Sequence, residues 1–341
     1  MFVVRPIQQK DYAELLKIAV ESGHGFTSLP VNEELIAKKI NNAAASFSED
    51  VGDEPCDHSY LFVMEDTETG QIMGTTGIES SVGLTDAFYH YHLSKVVHNS
   101  RELKVYNTAE VLTLCNDYTG ASELCTLFLR EPYREGINGR VLSKCRFLFL
   151  AQNKARFSET VIAEMRGVSN DEGQSPFWQW LEDNFFSLDF PTADYLSGIG
   201  QKVFIAELMP KYPVYVNLLS KAAQEVIGKV HENTAPALNL LKSEGFSWKG
   251  YVDIFDAGPT VEANLSQLRS VQGSNLYTVE VVEQLTGEDH VLMSNLEVEL
   301  FRATAATAQL DKTLLTIQIT QEIADALKVS AGEQLRAVKL I

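Results

Sequence analysis

The segment Tyr133-Arg134-Glu135-Gly136-Ile137-Asn138-Gly139-Arg140 carries the residue types of an anion site. It joins a strand-like run, Leu124 to Leu129, to a helix whose apolar face passes through Val141, Leu142, Cys145, Leu148 and Phe149. The first amides of a helix lack intrahelical acceptors and sit at the positive end of its dipole, so main chain alone can hold a phosphate there. Gly136 and Gly139 permit close approach, and Arg134 or Arg140 can add charge. The segment lacks the Lys-Ser/Thr ending of a nucleotide P-loop, and no dinucleotide-binding βαβ pattern surrounds it. An ordinary glycine-containing connection would look the same. Histidine titrates near neutrality, which suits it to proton delivery. His231, just before a helix carrying Leu238 and Leu241, is one candidate; a surface position or packing at the helix N-terminus is its structural alternative.

Other combinations carry less. His90 and His92 flank Tyr91 without an apparent third ligand, so they are not read as a metal pair. Cys56, Cys115, Cys125 and Cys145 are unevenly spaced with no Cys-x-x-Cys pair, and are expected to be reduced, mostly buried thiols.

The elements that would position these residues alternate in period. Residues 2–7 read as a strand, and Asp11 with Glu14 suggests a capped helix through Leu15, Leu16 and Ile18 that Gly23 ends. Asn32 is expected to cap a second helix, and Tyr60–Met64 and Gln71–Glu79 to form a hairpin around Asp-Thr-Glu-Thr-Gly. With Leu124–Leu129, the helix from Gly139 and a strand over Thr160–Val168, the order is strand, helix, helix, strand, strand, strand, helix, strand. Such mixing predicts an α/β domain. Residues 172–230 turn helical and aromatic, with Phe177, Trp178 and Trp180 expected to fill the core of an insertion or to wall a pocket. A helix from Asn233 to Gly245 and a strand-like run to Phe255 follow. Beyond residue 256 the pattern becomes β-rich: Tyr277–Val282, His290–Met293, Leu296–Phe301 and Leu314–Ile319, a helix over Thr320–Leu327 and a last strand. The expected division is therefore 1–256, with its insertion, and a β-rich subdomain over 257–341.

Size and charge narrow the function. The chain has 341 residues, 45% of them hydrophobic, and a net charge of 28 − 46 = −18. That length buries a core without disulfide or metal staples. An acidic surface repels phosphate backbones, which argues against nucleic acid as partner. No apolar window of signal-peptide or membrane-span length occurs, so a cytoplasmic location is expected.

The element order, the glycine-containing loop and Asn233-Thr-Ala-Pro-Ala-Leu-Asn-Leu-Leu-Lys-Ser-Glu-Gly-Phe246 resemble the GNAT acyl-CoA transferases. Within that group, Gly25-Phe-Thr-Ser-Leu-Pro30, Val105-Tyr-Asn107, Ser122-Glu-Leu-Cys-Thr-Leu-Phe-Leu129, Ala163-Glu-Met-Arg-Gly167, Ser175-Pro-Phe-Trp178, Gly200-Gln-Lys202, Ala206-Glu-Leu-Met-Pro210 and Tyr251-Val-Asp-Ile-Phe-Asp256 are similar to the arginine N-succinyltransferase family. The resemblance implies a GNAT-like α/β fold with a helical insertion and a C-terminal β-rich subdomain. It implies succinyl transfer from succinyl-CoA to L-arginine, self-association, and no cofactor beyond the co-substrate succinyl-CoA.

It also implies site residues. His231 matches the family's proton donor and Leu127 a succinyl-CoA contact, while Arg134, Gly136 and Gly139 correspond to the phosphate loop. The chain departs from the GNAT pattern in two places: Ile137 stands where the loop usually has its first glycine, and Leu241 where many members have a tyrosine acid. A guanidinium stays protonated at physiological pH and cannot be the nucleophile, so the acceptor must react through its α-amine while carboxylates or carbonyls hold its side chain. Glu123, Glu164 and Asp117 are candidates for that grip, and Arg166 for the succinyl carboxylate or a structural ion pair. His24 is a second acid–base candidate, in the loop where GNAT proteins commonly build the acceptor site.

Overall fold

The computed structural model describes residues 1–23, 26–48, 52, 54–170, 172–285 and 289–340. The chain opens with β1 (Phe2–Pro6), α1 (Tyr12–Ser22), α2 (Glu33–Ser46), β2 (Ser59–Asp66) and β3 (Ile72–Glu79). A long hairpin, β4 (His90–Ser100) and β5 (Val105–Cys115), precedes β6 (Ser122–Leu129), α3 (Asn138–Gln152) and β7 (Thr160–Glu164). The insertion supplies α4 (Pro176–Phe185), α5 (Phe190–Gly198), α6 (Val203–Leu208), β8 (Val214–Tyr215) and α7 (Lys221–Val226). The chain then returns through α8 (Ala235–Glu244), β9 (Ser247–Val252), β10 (Pro259–Asn264) and α9 (Arg269–Gly273). Last come β11 (Asn275–Val281), β12 (His290–Ser294), β13 (Ala303–Thr307), β14 (Gln309–Asp311), β15 (Thr316–Ile319), α10 (Gln321–Leu327) and β16 (Gln334–Lys339).

The described strands form one sheet in the order β14-β15-β11-β16-β12-β13-β1-β2-β3-β6-β7-β10-β9-β4-β5-β8. Its middle, β1-β2-β3-β6-β7-β10-β9, is antiparallel except for the parallel pair β6–β7. β10 pairs with β7 and β9, so the central sheet runs past residue 256; the strands from β11 onward pair among themselves and join the centre through β13 and β1. Among the described residues no helix is long and apolar enough to cross a membrane.

Local chemistry accounts for most boundaries. Asn32 caps α2 by accepting from the Leu35 amide at 2.9 Å, as expected. Gly245, at φ +111°, ends α8 in the left-handed conformation that glycine adopts without steric cost. Asp11 behaves otherwise than expected: its side chain caps no amide of α1 but grips buried Arg5 through two bonds, at 2.7 and 2.9 Å. A full charge buried on β1 needs that carboxylate more than a helix end open to water does.

Two expected elements change, and one hairpin is new. β7 ends at Glu164 rather than at Val168, and Leu296–Phe301 is a turn, the strand being β13. The β4–β5 hairpin is absent from the expected order, although it pairs residue by residue from His90↔Cys115 to Ser100↔Val105. Its outer half is exposed on both faces, so no buried face imposes an apolar alternation there. The cysteines are free as expected, but only Cys145 is fully buried.

α3 packs along the centre of the main core, and Phe149 meets Phe47, Tyr60, Phe62 and Phe301 edge-on or tilted at 5.0–5.8 Å. Lys144 on the same helix pairs with Glu244 of α8 at 2.7 Å, both side chains nearly inaccessible. Glu244 also accepts from the Ser270 amide at 2.7 Å and its hydroxyl at 2.9 Å, so one carboxylate ties α3, α8 and α9 together. Removing the cation alone leaves a buried charge, so Lys144→Met is expected to lower the unfolding free energy by about 3 kcal/mol in denaturant titration; a loss below about 1 kcal/mol would show that Ser270 alone suffices.

Candidate active site

β6 and β7 pair only at Ser122↔Val161 and Glu123↔Ile162. Beyond Glu123 they part, and β6 bulges against β3, its register shifting between Thr75 and Gly77. Thr126 takes φ +52°, an unusual conformation for a β-branched residue that the surrounding sheet must enforce. Backbone from Cys125 to Leu129 on one side and from Ala163 to Arg166 on the other therefore borders a gap instead of a ladder. The gap opens into a cleft of about 1580 Å³ whose walls include Leu127, Gly136, Gly139, Glu164 and Asn233.

One end of the cleft offers main-chain amides and arginines, beside Glu131 and Glu135. The Arg130 amide closes β6 by donating to Met73 O at 2.9 Å, and the chain turns through Glu131–Tyr133 into α3. No side chain caps α3; the Asn138 amide donates to Glu135 O at 3.2 Å, and the Gly139 and Arg140 amides remain for a ligand. Gly136 sits at φ +54°, where a side chain would be strained. Gly139 differs: a Cβ there would meet nothing nearer than Leu129 Cδ2 at 3.9 Å, so the protein's own packing does not require glycine. Arg134 folds back on the strand end, its Nε donating to Leu129 O at 2.8 Å and its guanidinium lying 5.5 Å from the Phe128 ring centre. Arg130 is committed to Glu14 and Glu21, which leaves Arg134 and exposed Arg140 as the loop's cations.

The opposite part of the cleft gathers carboxylates. Glu123 and Glu164, two of the expected candidates, line it together with Asp194, Asp253 and Asp256. Burial, then Glu164 and Glu79, raise the Glu123 pKa well above the ordinary value. Burial, then Asp256, do the same to Asp253. Asp256 is pushed up to about 6 by burial, against the lowering effect of the Gly258 and Gly167 amides, which donate to it at 2.8 and 2.6 Å. Gly167 makes room for that carboxylate, since a Cβ there would lie 2.5 Å from Asp256 Oδ1. Glu164 Oε1 lies 2.8 Å from Nε2 of buried His90, and Thr27 donates its hydroxyl to Asp194. Carboxylates held this far from water need a cation to stay charged together, and a guanidinium, with five donors in one plane, can satisfy several at once.

Sequence reasoning missed Asp194, Asp253 and Asp256. Asp253 and Asp256 have the look of a turn, and Asp253 does accept from the Phe255 and Asp256 amides at 2.7 and 3.0 Å. Their place in Tyr251-Val-Asp-Ile-Phe-Asp256 was the available signal. Asp117 lies apart from the cleft, accepting from the Tyr251 hydroxyl at 2.9 Å. His24 lies outside the described residues. Phe177 and Trp178 are buried in the insertion's core with Tyr91 and Phe255; Phe190 and Phe255 are the aromatics of that core that line the cleft. His92 stacks on Tyr251 at 4.5 Å, and among the described residues no three His, Cys, Asp or Glu side chains are placed to hold a metal.

His231 borders the cleft without lining it; Glu232, Asn233 and Thr234, which follow it, do line it. Its amide donates to Arg166 O at 2.8 Å, which ties the residue to the end of β7. Its Nδ1 accepts from the Asn233 amide at 3.2 Å, so the neutral ring carries its proton on Nε2. Arg166 lines the cleft, donating to Ser169 Oγ at 3.0 Å.

A sheet with one parallel pair splayed over a bulge, an uncapped helix facing the gap and a cleft through both define a GNAT-type acyltransferase fold. The family model for the arginine N-succinyltransferase beta subunit matches residues 2–270, and the model for the C-terminal domain of that same subunit matches 276–339. The chain is similar to arginine N-succinyltransferase from Salmonella arizonae, 46% identical over all of this chain and 98% of that protein. Similarity to the Escherichia coli protein of the same name is 45%, with the same coverage. The solved arginine/ornithine succinyltransferase subunit AI from Pseudomonas aeruginosa superposes with a TM-score of 0.92 at 34% identity, covering 100% of this chain and 99% of that one. The chain belongs to the arginine N-succinyltransferase family.

Gly139 offers a clean test of the anion end. Gly139→Val is expected to leave the thermal midpoint within a few degrees, because the space beside it is open. Affinity for coenzyme A, measured calorimetrically, should fall at least about tenfold as the side chain blocks the first amides of α3; unchanged affinity would place the diphosphate elsewhere.

Proposed function

We propose that this chain transfers the succinyl group of succinyl-CoA to the α-amino group of L-arginine, in the cytoplasm, as an early step in arginine catabolism. The observation that carries the proposal is a single cleft that joins the uncapped start of α3 and the loop arginines, past the parted strands, to the buried acids Glu123, Asp253 and Asp256. The donor's diphosphate suits the loop from Arg134 to Gly139, and its pantetheine amides suit the unpaired backbone around Leu127. The acceptor's guanidinium suits Glu123, Glu164 and the Asp253–Asp256 turn, which leaves its α-amine facing the thioester.

The transfer is direct and uses no cofactor beyond succinyl-CoA. The neutral amine attacks the thioester carbonyl, the oxyanion collapses, and the sulfur leaves as a thiolate that takes a proton. His231 is assigned that delivery: the Nδ1 bond leaves Nε2 as its proton-bearing nitrogen, and its loop borders the cleft. This replaces the tyrosine acid whose usual position is Leu241, a buried core residue here. Self-association is part of the proposal. A paralogous partner is the variant of it suggested by the Pseudomonas aeruginosa relative, which is a subunit. The same relative's name favours a second reading of the acceptor, ornithine, whose ammonium the acidic group would also hold.

Arginine-dependent thiol release from succinyl-CoA tests the reading. The native chain should turn over with arginine, and His231→Ala should lose roughly 100- to 10,000-fold in kcat; near-native turnover in the variant would remove His231 from the chemistry. Parallel assays with ornithine decide between the acceptors. The carboxylates add a pH dependence. Asp256 ionises only above about pH 6, and Glu123 and Asp253 are shifted in the same direction, so acid conditions discharge the group. KM for arginine is expected to rise steeply as pH falls below about 6, while KM for succinyl-CoA follows no such course. A flat arginine KM down to about pH 5 would detach the guanidinium from these residues.

A further inference from the structure

Arg146 differs from the buried cations Arg5 and Lys144. It is 2% exposed, yet it lines the cleft. Buried Arg5 and Lys144 each face carboxylates at 2.7 Å. Arg146 has no carboxylate partner among the described residues: its Nε donates to Ser143 O at 3.0 Å and one Nη to Ser143 Oγ at 3.2 Å, both on its own helix. Those two bonds leave further guanidinium donors unused, in surroundings where a bare charge is costly. The chain has 46 acidic residues, and none of those described is placed on this arginine.

Its position along the gap is definite. From Gly139 to Arg146 the helix climbs about 10 Å at 1.5 Å per residue. The chain reverses between β6 and α3, so the same distance back along the strand, about three residues, runs from Leu129 to Thr126. Cys125 and Thr126 line the same cleft as Arg146, which agrees with that placement. The guanidinium therefore lies beneath the bulge, where the two strands part, while the diphosphate end of the cleft is two helical turns away.

We propose that Arg146 forms a carboxylate subsite that holds the distal carboxylate of the donor's acyl group and so selects a dicarboxylic acyl chain over an uncharged one. This rests on the acyl-CoA reading above and adds the residue that determines acyl specificity. The helix keeps the guanidinium fixed through Ser143, and a carboxylate arriving through the gap completes its hydrogen bonds in a dry setting. An uncharged acyl chain would leave the same donors unsatisfied, and that penalty disfavours it. Arg166, at the far end of β7 beside the His231 loop, is then left to the acceptor's side of the cleft.

The test compares succinyl-CoA with butyryl-CoA, which matches it in carbon count and lacks the charge, in the native chain, Arg146→Met and Arg146→Lys. The ratio of kcat/KM for succinyl-CoA over butyryl-CoA should fall about 100-fold in Arg146→Met and by less in Arg146→Lys. Inhibition by coenzyme A reports that the fold and the α3 end persist. An unchanged ratio, or equal loss with both donors, overturns the assignment. Should the variants fail to fold, the native chain is crystallised with a ketone analogue of succinyl-CoA in which a methylene separates carbonyl from sulfur. A carboxylate within about 3.2 Å of an Arg146 nitrogen supports the subsite, and one settled elsewhere refutes it. Absence of arginine-dependent thiol release from the native chain would refute the transfer reaction instead, while the analogue would still locate the carboxylate.

Discussion

Two neighbouring strands that stop pairing set the terms for the rest of the molecule. β6 and β7 share a ladder for two residues and then separate, exposing peptide groups in the middle of a sheet where they would ordinarily be bonded. Unpaired backbone so far inside a protein is expensive unless something supplies partners. The acyl-pantetheine arm of a thioester, with its own amides and carbonyls, is chemically suited to that task. The bulge at Thr126, the turn through Glu131–Tyr133 and the start of α3 all follow from holding this gap open and leading a ligand into it.

Charge is distributed around the gap with economy. The molecule carries −18 overall, so an anionic donor gains little from long-range attraction and depends on local amides and a few arginines. Across the gap the excess of acid becomes useful. Carboxylates crowded near Asp256 repel one another and are desolvated, and both effects favour a bound cation. In the proposed reaction the two substrates would meet different charges in the one cleft. Arg146 belongs to neither group, a cation without a carboxylate partner among the described residues.

Several parts of this arrangement were legible in the chain. The glycine-containing turn into α3 was visible because its signals are local: two glycines, a helix start and arginines lie within eight residues. Glu123 and Glu164 were legible because strand membership placed them at the cleft, and the structure brings both there, whereas Asp117 turns to Tyr251. Asp194 comes from the insertion and Asp253 from a turn beyond β9; no spacing rule connects them to Glu123. The β4–β5 hairpin escaped notice for a related reason. Its pairing is satisfied strand to strand, and its exposed half leaves no alternation of apolar residues to detect.

By itself, then, the sequence determined the local features: where helices begin and end, which loop offers free amides, and the alternation of elements that makes an α/β sheet. Caps, glycines and periodicity act over a few residues, and their energetics are present in the chain before it folds. Only the tertiary structure decided where β6 and β7 part, which acids share a cleft, and that Arg146 is buried without a carboxylate among the described residues while Lys144, two residues earlier, has one. Those outcomes depend on desolvation and on distances between segments remote in the chain, and both quantities exist only once the sheet has formed.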